Sequence, residues 1–248
     1  MERLTVIVTG ATGGIGKACV KRCLDEGRNV VAFGRTMDRL KEAIPDQADR
    51  IVLFSGDVSE AGDCAAAVDL AVKQFGRLDS IIHWAATHSS AFWTELDAGE
   101  FNRVLATNLT GSFLVAQAAA RHMVERKSGS IVLCTSGAVL FGGVGGQNGA
   151  GGAAYVASKA GVIGLMRSLA RALGPHGIRV NAVSPGVTET PMISSYTPER
   201  RAAATSRTVL GRLGEPDEIA AVGCFLISEA ARYITGEVIN VNGGANFG

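Results

Sequence analysis

The residues from Leu4 to Gly16, LTVIVTGATGGIG, limit what this chain can become more than any other stretch. Leu4-Thr5-Val6-Ile7-Val8 is an apolar, partly β-branched run that reads as a buried strand. The chain then breaks into Thr9-Gly10-Ala11-Thr12-Gly13-Gly14-Ile15-Gly16, and Lys17 to Leu24 reads as an amphipathic helix closed by Gly27. Strand, glycine turn and helix in that order form a seat for a dinucleotide pyrophosphate. Gly10 permits the tight turn, Gly14 lets the backbone approach phosphate, and Gly16 lets the helix pack on the strand. The helix N-terminus adds free N–H groups and a positive dipole end. The spacing is G-x-x-x-G-x-G rather than G-x-G-x-x-G, so the reading rests on the turn's place between strand and helix.

The rest of the chain continues the alternation. Strands are expected at 29–33, 51–54, 78–84, 130–134, 178–183 and 238–241. Helices are expected at 37–43, 61–75, 101–124, 153–173 and 218–227. Apolar strands alternating with helices imply an α/β fold, a doubly wound, Rossmann-type parallel sheet with helices on both faces. No linker, repeat or composition break divides residues 1–248, so one domain is expected. A hydrophobic content of 47% supplies an ample core. A net charge of +1 without a basic run argues against nucleic acid or an acidic membrane surface as partner. No apolar run reaches the length of a membrane span, and a first strand at Leu4 leaves no room for a signal peptide. Cys19, Cys23, Cys64, Cys134 and Cys224 form no CxxC pair and fit reduced thiols in a cytoplasmic protein. Cys19 and Cys23 lie a helical turn apart without a histidine or second pair nearby, so no metal is expected.

The chemistry points elsewhere. Tyr155 and Lys159 are four residues apart and share a helix face. A nearby ammonium favours phenolate and would lower the tyrosine pKa towards a range useful for general acid–base catalysis. Ser136 follows the fifth strand, and Asn108 sits inside a helical run where asparagine is a mediocre former. Pro185-Gly186 follows the sixth strand, with Thr190 beyond. Two irregular stretches should lie at the C-terminal edge of the sheet: glycine-rich Phe141 to Gly152, and Thr188 to Leu213 with Arg200, Arg201 and Arg207.

Together these motifs resemble the short-chain dehydrogenase/reductase family, in its compact single-domain, ketoreductase-like branch, over nearly the whole chain. Thr9–Gly16 matches its TGxxxGxG cofactor motif. Asp57-Val58 matches its adenine-contacting pair, and Asn108, Ser136, Tyr155 and Lys159 its catalytic tetrad. Pro185-Gly186 and Thr190 match the segment that holds the nicotinamide. The resemblance implies that Tyr155 donates a proton to the carbonyl oxygen during reduction and that Ser136 orients that oxygen. It implies that Lys159 binds the nicotinamide ribose and lowers the Tyr155 pKa, while Asn108 holds a water that relays protons. The implied cofactor contacts are Gly10, Thr12, Gly13, Gly14, Ile15, Gly16, Arg35, Thr36, Asp57, Val58, Ala85, Ala86, Tyr155, Lys159, Pro185, Gly186, Val187 and Thr190.

Three departures stand out. His83-Trp84-Ala85-Ala86 replaces the family's Asn-Asn-Ala-Gly, whose asparagine ties neighbouring strands; a core or strand-end role is expected of His83. Ser136 and Tyr155 are 19 positions apart, more than the family's usual interval, and the surplus is the glycine-rich loop, expected to wall the substrate pocket. Carrier-dependent acyl reductases of the family tend to have arginines where this chain has Lys127 and His176. For the cofactor, an NAD enzyme of this fold places an acid at the end of the second strand. Here Gly34-Arg35-Thr36 offers a guanidinium and a hydroxyl instead, which points to NADP. The expected activity is NADP-dependent interconversion of a fairly apolar ketone, of 3-oxoacyl or polyketide type or another kind, and a secondary alcohol. Phe92, Trp93, Leu140, Phe141, Val144, Met192, Ile193 and Tyr196 are the candidate pocket lining. The alternatives are an NAD(P)-dependent alcohol or sugar-alcohol dehydrogenase and a non-catalytic cofactor-sensing regulator. The helix over 153–173 is apolar or small on most of its circumference, which with the resemblance implies a homotetramer.

Overall fold

The computed structural model describes residues 3–45, 49–89, 91–143 and 152–247. Seven strands alternate with helices: β1 (Thr5–Thr9), α1 (Gly14–Asp25), β2 (Asn29–Gly34), α2 (Met37–Ala43), β3 (Ile51–Ser55), α3 (Ala61–Phe75), β4 (Ser80–His83), α4 (Ala98–Leu105), α5 (Gly111–Arg126), β5 (Gly129–Cys134), α6 (Ala138–Phe141), α7 (Ala153–Leu173), β6 (Ile178–Pro185), α8 (Pro198–Ser206), α9 (Pro216–Leu226) and β7 (Val238–Val241). All strands run parallel in one sheet of order β3-β2-β1-β4-β5-β6-β7. The strand order reverses between β1 and β4, and ligands of open parallel sheets bind at such a switch point, outside the carboxyl ends of the strands.

Alternation along each strand feeds two cores. Val6 and Val8 of β1 join Cys19, Val20 and Cys23 of α1 and Ile219, Ala220 and Cys224 of α9 on one face. Ile7 of β1 joins Val68 of α3, Val115 of α5 and Val162 of α7 on the other. Strands covered on both faces need apolar residues at every position, which is why β1, β2 and β5 read as continuous apolar runs. Where α1 meets α9, Cys23 Sγ lies 3.6 Å from Cys224 Sγ, and with Cys19 the three sulfurs lie within 4.8 Å of one another. Cys224 is brought to the pair from 201 residues away, a proximity no local spacing announces. Among the described residues no helix is long and apolar enough to cross a membrane.

The helix expected over 101–124 is not continuous. α4 ends at Leu105, a wider π turn occupies Ala106–Thr110, and α5 resumes at Gly111. Such bulges hold an extra residue per turn and turn side chains inward. Here the turn carries Asn108, which is buried. The stretch from Thr188 to Leu213, expected to be irregular, contains α8 capped by Thr197, whose side chain accepts from the Arg200 N–H.

Candidate active site

The turn after β1 is shaped by two close approaches. Gly10 has φ +64°, and a Cβ there would lie 2.7 Å from the Ala85 nitrogen; at Gly16 a Cβ would lie 2.0 Å from the Gly10 carbonyl oxygen. Only glycine lets α1 begin so close to the strand ends. The N-cap of α1 is Gly13, with no side-chain cap and no acid in the first turn, so neither of these neutralises that helix end. This fits a phosphate-bearing cofactor. The Thr190 methyl lies over Gly14, and Gly186 packs on Asn242 with its N–H donating to the Val241 carbonyl.

At the end of β2, Arg35 and Thr36 are exposed. Thr36 caps α2 by position, but its hydroxyl makes no cap hydrogen bond. A Cβ at Gly34 would lie 2.9 Å from Leu40 Cδ2 and 3.2 Å from Thr12 Cγ2. The sequence places no carboxylate at position 34, and a larger side chain there would have to displace Leu40. On the far side of the turn, Asp57 Oδ1 accepts from the Ser59 N–H and hydroxyl at 2.8 and 2.7 Å. Val58 is buried with its side chain against Gly111, so it has backbone rather than side chain to offer a ligand.

Ser136 and Tyr155 line one cavity of about 390 Å³, together with Ile15, Ala86, Pro185, Gly186, Val187 and Thr190. Behind it, Lys159 is fully buried on the same face of α7 as Tyr155, its Nζ 5.8 Å from the tyrosine ring centroid and donating to the Cys134 carbonyl at 2.8 Å. Burial raises the Tyr155 pKa above its ordinary value, Cys134 adds to the rise, and a hydrogen bond with the Ser136 hydroxyl opposes it. Burial likewise holds the Lys159 ammonium below its usual range. The expected lowering of the Tyr155 pKa by Lys159 does not occur: desolvation disfavours both charged forms, and only the Ser136 hydroxyl acts to lower the phenol. The resting pair is a neutral phenol, ready to donate, beside a lysine held off its ring by a backbone carbonyl.

Asn108 sits beneath this pair and has no spare donor. Its Oδ1 accepts from the Thr87 N–H at 2.8 Å, and its Nδ2 donates to the Thr87 carbonyl at 2.9 Å and to Ser158 Oγ at 3.0 Å. The side chain clamps the loop that follows β4 to α7. The Asn108 backbone carbonyl accepts from the Ser112 hydroxyl at 2.6 Å.

His83 supplies the strand tie in a different form. Its Nδ1 is 2.8 Å from Thr9 Oγ1, its paired residue on β1, and the same oxygen accepts from the Ala85 N–H at 3.2 Å. The ring is wholly buried and does not line the cavity that holds Ser136 and Tyr155, as expected of a strand-end role.

Of the candidate lining, Phe141, Met192, Ile193 and Tyr196 face the cavity. Phe92, Trp93 and Leu140 do not; they are exposed, with the Phe92 and Trp93 rings 5.9 Å apart packing on each other. Val144 and the rest of the glycine-rich loop to Gly151 lie outside the described residues, as does the expectation that this segment walls the pocket; Gly143, just before it, lines the cavity. Sequence reasoning missed the wall made by Asn242, Ala245 and Asn246 near the C-terminus. Gly243 and Gly244, both at positive φ, were the available sign of a sharp turn there.

A family model described as enoyl-(acyl carrier protein) reductase matches residues 10–246. The chain is 35% identical over 250 residues to a 3-oxoacyl-(acyl-carrier-protein) reductase of Thermotoga maritima, covering 98% of each chain. It is 38% identical to an L-rhamnose 1-dehydrogenase (NAD(P)(+)) of Azotobacter vinelandii, covering 97% of this chain and 95% of that one. Among solved structures, a short-chain dehydrogenase/reductase of Brucella melitensis titled as a glucose/ribitol dehydrogenase superposes with a TM-score of 0.91 at 34% identity, over 100% of this chain and 98% of that one.

Proposed function

Because the chain belongs to the short-chain dehydrogenase/reductase family, we propose that it is an NADP-dependent ketoreductase interconverting a ketone and a secondary alcohol. It is an oxidoreductase of that family, whose members use a nicotinamide cofactor. The observation that carries the reading is the meeting of Ser136 and Tyr155 in one cavity, with Lys159 buried behind Tyr155. In this reading the Ser136 hydroxyl binds and orients the carbonyl oxygen, and the Tyr155 phenol gives it a proton as charge develops. Lys159 stabilises the phenolate left behind and reaches the cofactor ribose. Asn108 fixes the position of α7 against the loop after β4 and offers its backbone carbonyl to the water that returns the proton. The turn from Gly10 to Gly16, with Ala85, Ala86, Asp57, Val58, Pro185, Gly186, Val187 and Thr190, would hold the cofactor. When bound, the nicotinamide supplies the hydride for reduction or accepts it for oxidation. Exposed Arg35 and the absence of an acid at position 34 support NADP over NAD. The five free thiols support a reducing, cytoplasmic setting, and self-association to a homotetramer belongs to the same proposal.

The test follows NADPH absorbance with a panel of ketones. The protein should consume NADPH with at least one, and Tyr155→Phe should lose about 10²- to 10⁴-fold in kcat while still binding NADPH, since only the phenolic proton is removed. Near-normal turnover in that variant would remove Tyr155 from the mechanism.

A further inference from the structure

The cavity holds more than neutral hydroxyls. Its outer wall comes from α8 and its flanks, which contribute Tyr196, Arg200, Ala203 and Arg207. Arg200 lies over the Tyr196 ring, its guanidinium carbon 3.7 Å from the centroid, and its Nε is buried without a hydrogen-bond partner among the described residues. Arg207 stands 5.8 Å over the Phe141 ring. Neither has an acid partner among the described residues. The neighbouring Arg201 occupies Glu189, holding both carboxylate oxygens at 2.7 and 2.8 Å. The undescribed segment 144–151, Val-Gly-Gly-Gln-Asn-Gly-Ala-Gly, contains no carboxylate either.

Arg207 is exposed and open to solvent, whereas the buried Arg200 Nε–H, left without an acceptor, is costly unless a ligand pairs with it. Stacking on Tyr196 fixes the plane of the Arg200 guanidinium. A guanidinium fixed in plane offers parallel N–H groups that match the two oxygens of a carboxylate. The position matters as much as the charge. Tyr196 and Arg200 line the same cavity as Ser136 and Tyr155, so the arginine and the proton donor face one space. An anion held by Arg200 and a carbonyl held by Ser136 and Tyr155 therefore fit within a single small molecule. Ala203, with its short side chain, leaves that space open.

We propose that the substrate is a keto acid, whose carboxylate is bound by Arg200 while its ketone faces Ser136 and Tyr155. Arg207 contributes a second positive charge at the mouth. This inference rests on the ketoreductase reading and narrows the apolar ketone expected from the sequence to one bearing a carboxylate.

The experiment compares kcat/KM for keto acids with their methyl esters: 2-oxobutanoate, 3-oxobutanoate and 4-oxopentanoate against the matching esters. The wild type should favour the acid in at least one pair by about 10- to 100-fold, the value of one charge-assisted contact. Arg200→Met should bring that ratio to about one, chiefly through KM for the acid; Arg200→Gln gives the same reading should the methionine variant fail to fold. A second readout needs no turnover: butanoate, but not butanamide, should raise the Tm of the wild type, and Arg200→Met should abolish the rise. Esters used as well as acids in every pair, or an acid-to-ester ratio unchanged in the variant, would overturn the inference while leaving the ketoreductase reading intact. No turnover of any acid or ester would count against the ketoreductase reading, and the butanoate shift would then decide the anion site alone.

Discussion

The imidazole of His83 is enclosed between β4 and β1 with only the Thr9 hydroxyl to meet it, and Nε2 has no partner among the described residues. Burial, followed by the charge of Lys159, pushes its pKa from 6.5 to about 3. Between those values the unfolded chain binds a proton that the folded protein refuses, so stability is complete above about pH 6.5 and is lost as pH falls. From pH 7 to pH 5 this single residue should remove about 2 kcal/mol. Denaturant melts at the two pH values should show that loss, and His83→Asn, which keeps a polar group facing Thr9, should lack it; a variant with the full slope would place the titration elsewhere. Individual residues differed in how readable they were. Tyr155 and Lys159 were legible because four positions on a helix fix a shared face. The strand tie by His83 was not, since the same ring could have faced solvent or ligand until the Thr9–His83 register was known. The unpaired state of Arg200 depends on Arg201 having taken Glu189, and spacing carries no information about that choice.

At the scale of elements, strands and most helices followed from apolar runs and glycine stops, and α2, α3, α7 and β7 fall where the pattern placed them. The π turn between α4 and α5 escaped because a one-residue widening barely disturbs a helical pattern while redirecting Asn108. α8 escaped because it buries no residue, leaving no periodic apolar face to read. The unit formed by β1, its glycine turn and the end of β2 yields a prediction of its own. Arg35 follows β2 directly, and that strand end is tied to the turn by the Ala11 N–H donating to the Phe33 carbonyl at 3.2 Å. With glycine rather than an acid at position 34, the guanidinium stands beside the cofactor cradle without an opposing charge from that position. Arg35→Ala should raise the Michaelis constant for NADPH by about 10- to 100-fold, since a charge-assisted contact contributes about 1.5–3 kcal/mol. The constant for NADH should move far less. Equal weakening of both cofactors would show that Arg35 is not the phosphate ligand.

At the scale of the whole molecule, α7 is where folding within one chain leaves work undone. Its length was expected to be apolar or small around most of its circumference, and the structure divides those residues. Ala154 and Val162 are buried, Val156, Ile163, Leu165 and Leu169 are half-buried, and Ala153, Ala157 and Ala160 are exposed. Gly164 extends the exposed set, so that 153, 157, 160 and 164 recur at helical spacing along one outward stripe of a 21-residue helix. On α5 of the same layer, Phe113 is 38% exposed. Small side chains in a row let a second helix approach closely, and an exposed phenylalanine nearby adds apolar area to the same contact. Light scattering at micromolar concentration should therefore report an assembly, a tetramer by the family resemblance. Ala157→Arg should shift it to a smaller species, because a guanidinium forced into a close helix contact loses its water without gaining a partner. The substitution lies on the outward side of α7, so the far-ultraviolet circular dichroism of the variant should match the parent. A monomeric parent protein would refute the assembly, and a variant that keeps the parent's mass would move the interface off this stripe.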